Sequence, residues 1–248
     1  MTVLIDIEGL EYARAGASFH LTVPRFRLER GEAVAISGTS GSGKSTFLDV
    51  LALLRRPKRA STFRFADVDI AGLWQRGRER TTVMRGSQIG YILQTGGLLP
   101  YLSVRENILL PQHLRGRIDK VWTQRLLATL GLAPLARRLP AQLSLGERQR
   151  VAVARAISHQ PALVLADEPT ASLDADNGER VIRSLLELCR ACEAGLVLVT
   201  HDRPLLDRFQ VPGLACRRQA GSAWIDQSRP RRPAAGGERP GSAPGPGQ

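Results

Sequence analysis

One glycine-rich segment of eight residues constrains this chain more than any other. Residues 38–45 read GTSGSGKS and match the pattern G-x-x-x-x-G-K-[ST] of a phosphate-binding loop. The segment follows a short apolar run, 33–37, and precedes a pattern that predicts a helix over 44–54. Glycines allow successive backbone N–H groups to face a polyphosphate, and the helix N-terminus adds positive potential. We therefore expect this loop to bind a nucleotide.

Two side chains of the loop have specific expected roles. Lys44 is expected to contact the β- and γ-phosphates, and the Ser45 hydroxyl is expected to hold Mg²⁺. The residues predicted to bind the nucleotide through this loop are Gly38, Thr39, Ser40, Gly41, Ser42, Gly43, Lys44, Ser45 and Thr46.

A second signal follows a continuous apolar run later in the chain. Residues 162–166 read ALVLA, as expected of a strand buried on both faces of a parallel sheet, and Asp167 and Glu168 come directly after them. An acid at the carboxyl end of such a strand lies beside the phosphate loop, so Asp167 is expected to hold Mg²⁺. Glu168 then faces the space beyond. A carboxylate there can orient or deprotonate the water that attacks a γ-phosphate.

The order of the predicted elements is that of an α/β protein. Apolar or alternating runs predict strands at 2–7, 20–28, 33–37, 62–70, 88–93, 162–166 and 195–200. Helical patterns lie between them, at 44–54, in pieces over 104–139, at 145–158 and at 175–193. A mainly helical block is thus inserted before the buried strand at 162, and it is a candidate sub-domain.

Composition predicts a folded protein that does not cross a membrane by itself. The 248 residues are 43% hydrophobic and 23% charged, and the longest apolar stretches fall well short of the ~20 residues that span a bilayer. The first ten residues carry Asp6 and Glu8 and lack the features of a secretory signal. Three cysteines, an odd number, do not suggest a disulfide framework, so a reducing cytoplasm is the expected compartment.

The net charge of +12 raises the question of a polyanionic partner. From residue 217 onward there are six arginines against two acids, so +4 of this charge lies near the end of the sequence. Much of the rest is scattered, and the basic run 55–59 is interpreted as solvated, with contact to anionic lipid as the alternative. Cys189 and Cys192 form a C-x-x-C pattern inside a predicted helix, which we interpret as a chance pairing rather than a zinc or redox site.

Residues 143–150, LSLGERQR, resemble the signature of the ATP-binding-cassette family, which is usually written LSGGQ. Other elements of that family match in order: Gln94 as the glutamine of its Q-loop, residues 171–174 as its D-loop, and His201 as its switch histidine. With the phosphate loop and the acidic strand end, the resemblance covers roughly residues 2–226.

The resemblance implies the fold class and the domain organisation. The expected fold is α/β, with a P-loop NTPase core of the RecA-like type, a parallel sheet, an N-terminal antiparallel β subdomain and an inserted helical subdomain. One nucleotide-binding domain is expected over 1–226, with the helical subdomain at about 96–158. Residues 227–248, rich in Pro, Gly and Arg, are predicted to be a disordered tail because they cannot bury enough apolar surface.

The resemblance also implies a homodimer. In the family, two subunits pair head to tail, and each ATP lies between the phosphate loop of one subunit and the signature of the other. Ser144, Gly146 and Glu147 are therefore expected to contact ATP held by the partner, and Asp174 is expected to bridge to the partner's site. Leu145 departs from the family pattern, where a glycine is usual, and we expect it to slow closure without abolishing the site.

Three residues are expected to act in catalysis: Glu168, His201 and Gln94. The resemblance implies that His201 touches the γ-phosphate and holds the attacking geometry with Glu168, while Gln94 reaches the metal and the water. The Mg²⁺ ligands expected are Ser45, Gln94 and Asp167.

An aromatic residue before the phosphate loop is expected to stack on adenine. Tyr12 stands where the family often places this residue, and stacking on an aromatic face tolerates any base. Phe19 is the alternative residue, and ordinary core packing is the alternative role for either side chain.

These observations predict the ATP-binding and ATP-hydrolysing subunit of a transport system, with ATP and Mg²⁺ as cofactors. Such a subunit acts on separate integral membrane permease subunits at the inner face of the cell membrane, and 94–105 is the expected docking region. Residues 94–111 and the signature resemble the lipoprotein-release and macrolide-export class. The alternative is a soluble cassette ATPase of a non-transport assembly, such as an iron–sulfur or cell-division complex. No nucleic-acid partner is expected, because the chain has one nucleotide core and no sustained heptads.

Overall fold

The computed structural model describes residues 2–13, 19–219, 222–225 and 227. The described strands are β1 Val3–Ala13, β2 His20–Glu29, β3 Ala33–Ser37, β4 Thr62–Phe65, β5 Val68–Asp69, β6 Ile89–Ile92, β7 Leu163–Asp167, β8 Gly195–Val199, β9 Gly213–Gln219 and β10 Ser222–Ile225. The described helices are α1 Lys44–Leu51, α2 Ile70–Gln75, α3 Arg78–Gln88, α4 Val104–Leu114, α5 Lys120–Thr129, α6 Leu145–Ile157, α7 Ala175–Ala191 and α8 Arg203–Arg208, with 3₁₀ turns at Ala133–Leu135 and Pro140–Gln142.

The strands form one mixed sheet in the order β5-β4-β1-β2-β10-β9-β3-β8-β7-β6. Its β9-β3-β8-β7-β6 half is entirely parallel, as expected where helical connections cover both faces. In the other half, β1 pairs antiparallel with β2 and β4. The α/β fold with a parallel core and an N-terminal antiparallel part is therefore confirmed.

Strand β9 joins the two halves because it changes partners along its length. Its first residues pair in parallel with β3, with Ser37 opposite Ala215. Its later residues pair antiparallel with β10, with Cys216 opposite Ile225. The strand that leads into the phosphate loop is thus flanked by β9 at the point where the chain enters the loop.

The parallel core is buried on both faces. Along β7, Val164 and Ala166 pack into a cluster with α6 and α7, while Leu163 and Leu165 pack into a second cluster with α1 and the antiparallel strands. Side chains of a strand alternate between faces, so a continuous apolar run is what such a strand requires. The sequence-based prediction of fully buried strands at β7 and β8 is confirmed.

The helical block contains α4, α5 and α6. Its buried side chains, such as Trp122, Leu126 and Val151, belong to the same apolar cluster as one face of the core sheet. Buried Gln112 ties the block together, because its Nε2 donates to the Thr123 hydroxyl at 3.0 Å and to the Ser158 carbonyl at 2.8 Å. No helix in the described ranges is long and apolar enough to cross a bilayer.

Several sequence-based element predictions were wrong or incomplete. The strand predicted over 62–70 is interrupted after Phe65 by a turn in which Ala66 has φ 50°, and Ile70 begins a helix capped by the Asp69 carboxylate. Helices α2, α3 and α8 and strands β9 and β10 were not predicted. Cys189 lies in α7 and Cys192 at its end, and both are free thiols. The predicted tail from residue 228 onward lies outside the described residues.

Candidate nucleotide site

The phosphate loop has a backbone that only glycine adopts easily. Gly41 has φ 70° and Gly43 has φ 104°, both in the left-handed region. A Cβ at Gly38 would lie 2.4 Å from the Cys216 carbonyl oxygen, so no larger residue fits there without movement of β9. The loop ends where Gly43 caps the N-terminus of α1. These three glycines fix the turn that brings backbone N–H groups to the helix start.

Lys44, the first residue of α1, carries a buried positive charge against the phosphate loop. Its side chain is 5% exposed, and its Nζ donates to the carbonyl oxygens of Gly38 at 2.8 Å and Thr39 at 2.9 Å. Neutral carbonyls satisfy the hydrogen bonds of the ammonium group but do not neutralise its charge. Among the described residues, no carboxylate oxygen lies within 4 Å of this ammonium group, and a buried cation of this kind favours an anionic ligand.

A cavity of about 480 Å³ opens in front of the loop. It brings together most of the predicted nucleotide and metal residues, which lie far apart in the sequence. Its lining consists of Tyr12, Phe19, Ser40, Gly41, Ser42, Gly43, Lys44, Ser45, Thr46, Arg55, Gln94, Asp167 and Glu168.

The donor set at the end of β7 fits a hard divalent cation. The Ser45 hydroxyl, the Gln94 amide oxygen and the Asp167 carboxylate line the same cavity, and oxygen ligands of this kind suit Mg²⁺. Burial raises the pKa of Asp167, against the lowering influence of Ser45 and Lys44 beside it. A carboxylate that is desolvated in this way is stabilised by an added cation. The residues therefore fit the metal that the sequence predicted, and the ligand set itself stays a prediction.

Glu168 and His201 form a contact across the ends of two adjacent strands. His201 Nε2 lies 2.8 Å from Glu168 Oε1. The Glu168 backbone has φ 48°, which is uncommon for a residue with a side chain, and its N–H donates to the Val199 carbonyl at 2.9 Å. Local backbone strain of this kind is held in place by surrounding structure and concentrates at active sites. Glu168 is itself part of the cavity lining.

The signature residues lie on the surface, at the N-terminus of α6. The Ser144 hydroxyl accepts from the Glu147 backbone N–H at 3.2 Å, and the Glu147 carboxylate accepts from the Ser144 backbone N–H at 2.7 Å. This reciprocal pair is a capping box, and the Ser144 backbone N–H lowers the pKa of Glu147. Ser144 and Leu145 are exposed, and in the described part of the chain neither they nor Gly146 line the cavity.

Asp174 begins α7 as its N-cap. Its Oδ1 accepts from the Asn177 backbone N–H at 2.9 Å, and its Oδ2 accepts from the Asn177 side chain at 2.7 Å. The start of α7 lies next to the signature residues at the start of α6. A Cβ added to Gly146 would lie 3.7 Å from the side chains of both Asn177 and Leu173. The expected bridge from Asp174 to a partner stays a prediction, while its capping role is visible within one subunit.

Tyr12 and Phe19 both line the cavity, at different places. Tyr12 is 8% exposed, and its hydroxyl accepts from Arg55 Nη1 at 3.0 Å. Phe19 lies against the loop, with its Cζ 3.0 Å from where a Cβ on Gly43 would be. Tyr12 therefore has the packing role that the sequence left open, and its stacking on adenine stays a prediction.

Arg55 is a cavity residue that the sequence analysis placed in a solvated charge run. Its Nε pairs with Asp49 at 2.7 Å, and its guanidinium lies 5.8 Å from the centroid of the Tyr12 ring. Asp49 also accepts from the Tyr91 hydroxyl at 3.3 Å. The run 55–59 has no periodicity that marks one arginine for the site, so only the fold identifies Arg55.

Comparisons with known proteins agree with this geometry. The profile of the ABC transporter family matches residues 21–171. The ABC transporter ATP-binding protein Rv0986 of Mycobacterium tuberculosis is 43% identical over 188 residues, which are 74% of this chain and 72% of that protein. The lipoprotein-releasing system ATP-binding protein LolD of Shewanella sp. (strain MR-7) is 42% identical over 195 residues, 76% of this chain and 81% of LolD.

A solved structure is similar over almost all of the chain. It is the ATP-binding cassette MJ0796 in a dimeric post-hydrolysis state bound to ADP and Pi, with 26% sequence identity. The match covers 94% of this chain and 100% of that one, with a TM-score of 0.76. The chain therefore belongs to the ABC transporter family, as an ATP-binding subunit that hydrolyses ATP.

Proposed function

We propose that two copies of this chain pair head to tail around two ATP molecules and drive transport through a separate membrane permease. One observation carries the proposal: the cavity holds the phosphate loop and the acidic residues, whereas the anion-binding start of α6 is exposed elsewhere on the same subunit. Each subunit thus offers two half-sites. The dimeric state of the related cassette MJ0796 supports the pairing.

Within one site, the residues act mainly by positioning and by neutralising charge. Lys44 and the loop N–H groups bind the phosphates, and Ser45, Gln94 and Asp167 would hold Mg²⁺. When bound, the metal neutralises charge that develops on the phosphoryl oxygens. Glu168 accepts a hydrogen bond from the attacking water and orients it toward the γ-phosphate. This assignment is supported by its place in the cavity lining, directly after Asp167.

His201 orients Glu168 and reaches the γ-phosphate. Its ring is half-exposed and lies 2.8 Å from the Glu168 carboxylate, so it restricts the rotamers of that side chain. Glu168 and His201 follow adjacent parallel strands, and the register places Asp167 opposite Val199.

The permease is proposed to dock beside the Q-loop. Leu93 and Tyr101 are exposed apolar side chains that flank the segment after Gln94. Buried Asn107 holds this segment, because its amide donates to the carbonyls of Leu99 and Leu102 at 3.1 and 2.9 Å. A rigid apolar surface next to Gln94 suits a helix of the permease, so closure of the nucleotide site is coupled to movement in the membrane. We therefore propose that the chain acts in the cytoplasm, at the inner face of the membrane.

The proposed subclass is export or lipoprotein release. Relatives named as lipoprotein-releasing system ATP-binding proteins cover about three quarters of this chain at about 42% identity. The nature of the transported compound depends on the permease rather than on the ATP-binding subunit.

The head-to-tail site is tested with a pair of matched serine variants. Ser144 and Ser103 both cap a helix through a capping box, with Glu147 and Glu106 respectively. All variants carry Glu168→Gln, which is expected to stop turnover. With this substitution alone, ATP should shift the chain to a dimer in size-exclusion chromatography. Adding Ser144→Arg should abolish the dimer, whereas Ser103→Arg, with the same loss of a cap, should not. A dimer that survives Ser144→Arg contradicts the head-to-tail arrangement.

The permease partner is tested by co-purification from membranes. Tagged chain should retain an integral membrane protein, and Tyr101→Ala should weaken this association while leaving ATP hydrolysis by the purified chain unchanged. Tyr101 is 72% exposed, so its loss should not affect folding. The proposal of transport would be contradicted if the parental chain and Tyr101→Ala both retained the same soluble proteins and neither retained an integral membrane protein.

A further inference from the structure

The carbonyl oxygens of the phosphate loop determine which way its N–H groups face. A peptide N–H and its neighbouring C=O point in opposite directions, so N–H groups turn toward a phosphate only if the carbonyls point away and find donors. Lys44 supplies donors for the carbonyls of Gly38 and Thr39. The Lys44 ammonium group is also expected to contact the phosphates of the nucleotide. The other carbonyls of the loop therefore need hydrogen-bond donors from residues other than Lys44.

Strand β9 supplies such donors. The Cys216 thiol donates to the Ser42 carbonyl at 3.0 Å, and Arg218 Nη1 donates to the Gly41 carbonyl at 2.9 Å. The two residues are two apart in a strand and therefore share one face, while Arg217 between them lies on the other. β9 runs beside β3, whose end leads into the loop. The strand is thus placed to hold the outer side of the loop.

The contacts are close and chemically suited to this role. The Cys216 side chain is 4% exposed, and burial raises the pKa of its thiol, so the group stays protonated and remains a donor. The Arg218 guanidinium cannot deprotonate, and it lies 3.3 Å from where a Cβ on Gly41 would be. Bonds from a charged donor are stronger than neutral ones, so Arg218 makes the stronger of the two contacts.

We propose that Cys216 and Arg218 are positioning residues of the phosphate loop. Cys216 holds the Ser42 carbonyl outward so that the Gly43 N–H of the same peptide faces the nucleotide. Arg218 holds the Gly41 carbonyl outward and thereby fixes the turn that the Ser42 N–H closes by donating to the Thr39 carbonyl at 3.2 Å. Neither residue belongs to a motif used above. They do not touch the reacting atoms; they set how well the loop is organised before the nucleotide arrives. The inference rests on the loop's proposed role in binding phosphate, and the experiment separates the two.

The test compares variants of the full-length chain that differ only in the donor. Arg218→Met removes the charged donor, and Arg217→Met removes the same charge from the opposite face. Cys216→Ala removes the thiol, Cys216→Ser keeps a donor, and Cys192→Ala is a control for loss of a thiol elsewhere. Affinity for magnesium ADP is measured by calorimetry, KM and kcat by phosphate release, and folding by the melting temperature without nucleotide.

We expect Arg218→Met to raise the Kd by about tenfold and Cys216→Ala by a smaller factor, with kcat within about twofold of the parent. Cys216→Ser should recover affinity, and Arg217→Met and Cys192→Ala should bind as the parent does. If Cys216 and Arg218 only stabilised the fold, their variants would have lower melting temperatures but would not show these differences in Kd. Because Arg218 is exposed, its variants keep the test valid even if Cys216→Ala is unstable.

Two results would overturn the proposal: parental affinity in both Arg218→Met and Cys216→Ala, or an equal loss in Arg217→Met. A Lys44→Ala variant separates this failure from a failure of the proposed function. If Lys44→Ala loses nucleotide while the β9 variants bind normally, only the role of β9 is wrong. If Lys44→Ala binds with the parental Kd, the assignment of the loop itself is wrong.

Discussion

His201 Nε2 lies 2.8 Å from Glu168 Oε1, although 33 positions separate the two residues in the sequence. The contact exists because β7 and β8 are adjacent and parallel and end at the same edge of the sheet. The Glu168 backbone adds to it by donating its N–H to the Val199 carbonyl. The position of the carboxylate is therefore set by strand register as well as by its own rotamer.

Replacing Glu168 by Gln should stop turnover without weakening ATP binding. The amide keeps the size of the side chain and its contact with His201, but it is a much weaker base toward the attacking water. We expect kcat to fall by at least about 10²-fold while the Kd for ATP stays within about twofold. Phosphate release and calorimetry measure the two quantities, with the exposed Glu187→Gln as control. Hydrolysis at the parental rate would show that another group orients the water.

Tyr12 and Phe19 can be separated by their effects on nucleotide affinity. If Tyr12 stacks on adenine, Tyr12→Leu should raise the Kd for magnesium ADP roughly tenfold or more, because stacking contributes on the order of 1 to 3 kcal/mol. Tyr12→Phe should bind almost normally, since it loses only the hydrogen bond from Arg55. If Phe19→Leu raised the Kd for magnesium ADP and Tyr12→Leu left it unchanged, the residue that stacks on adenine would be Phe19.

Leu145 should slow the closure of the dimer. It is the first residue of α6, and it is 44% exposed where the family usually has glycine. Leu145→Gly should lower the ATP concentration needed for half-maximal dimer formation in the Glu168→Gln background. Val121→Gly, which also removes an exposed apolar side chain from the first turn of a helix, is the control. A higher ATP requirement in Leu145→Gly would mean that the leucine contributes to the interface.

Buried His159 should make the fold sensitive to acid. Its side chain is 8% exposed, and burial, assisted by nearby Arg115, lowers its pKa from 6.5 to about 4. The unfolded chain therefore binds a proton that the folded chain rejects between about pH 6.5 and 4, so stability falls as the pH is lowered through this range. The parental chain should lose about 2 kcal/mol of unfolding free energy between pH 7 and pH 5 from this group.

Urea unfolding of His159→Gln at the two pH values measures this contribution. The variant should lose less stability on acidification than the parent, by that same amount, because glutamine does not titrate. His113→Gln, which replaces an exposed histidine of α4, should behave as the parent does. An identical acid dependence in His159→Gln and the parent would mean that the histidine has the same pKa in the folded and the unfolded chain.

The residues predicted most securely from the sequence are those whose function needs a local pattern. The loop from Gly38 to Ser45 and the acids after β7 require particular residue types at fixed spacing, and the structure places them around one cavity. Helix α3 shows the opposite case. Of its eleven residues, only Thr81 is buried, so it has no apolar periodicity from which it could be predicted.

Contacts between distant segments could not be predicted in the same way. Arg55, Cys216 and Arg218 reach the nucleotide site only because β9 and the end of α1 lie beside the loop. Their neighbours in the sequence give no sign of this, since Arg217 and Arg218 are part of an exposed polar end of a strand. The partner change along β9 is likewise a property of the whole sheet.

The capping box at the start of α6 has a consequence for how the two half-sites meet. The Glu147 carboxylate already accepts the N–H of Ser144 at 2.7 Å, at the place where a helix attracts a negative group. The isolated subunit thus carries its own substitute for a phosphate. In the proposed head-to-tail dimer, engagement with a triphosphate is then expected to be an exchange of one anion for another, in which an internal acid gives way to an external ligand, rather than the filling of a bare electropositive surface.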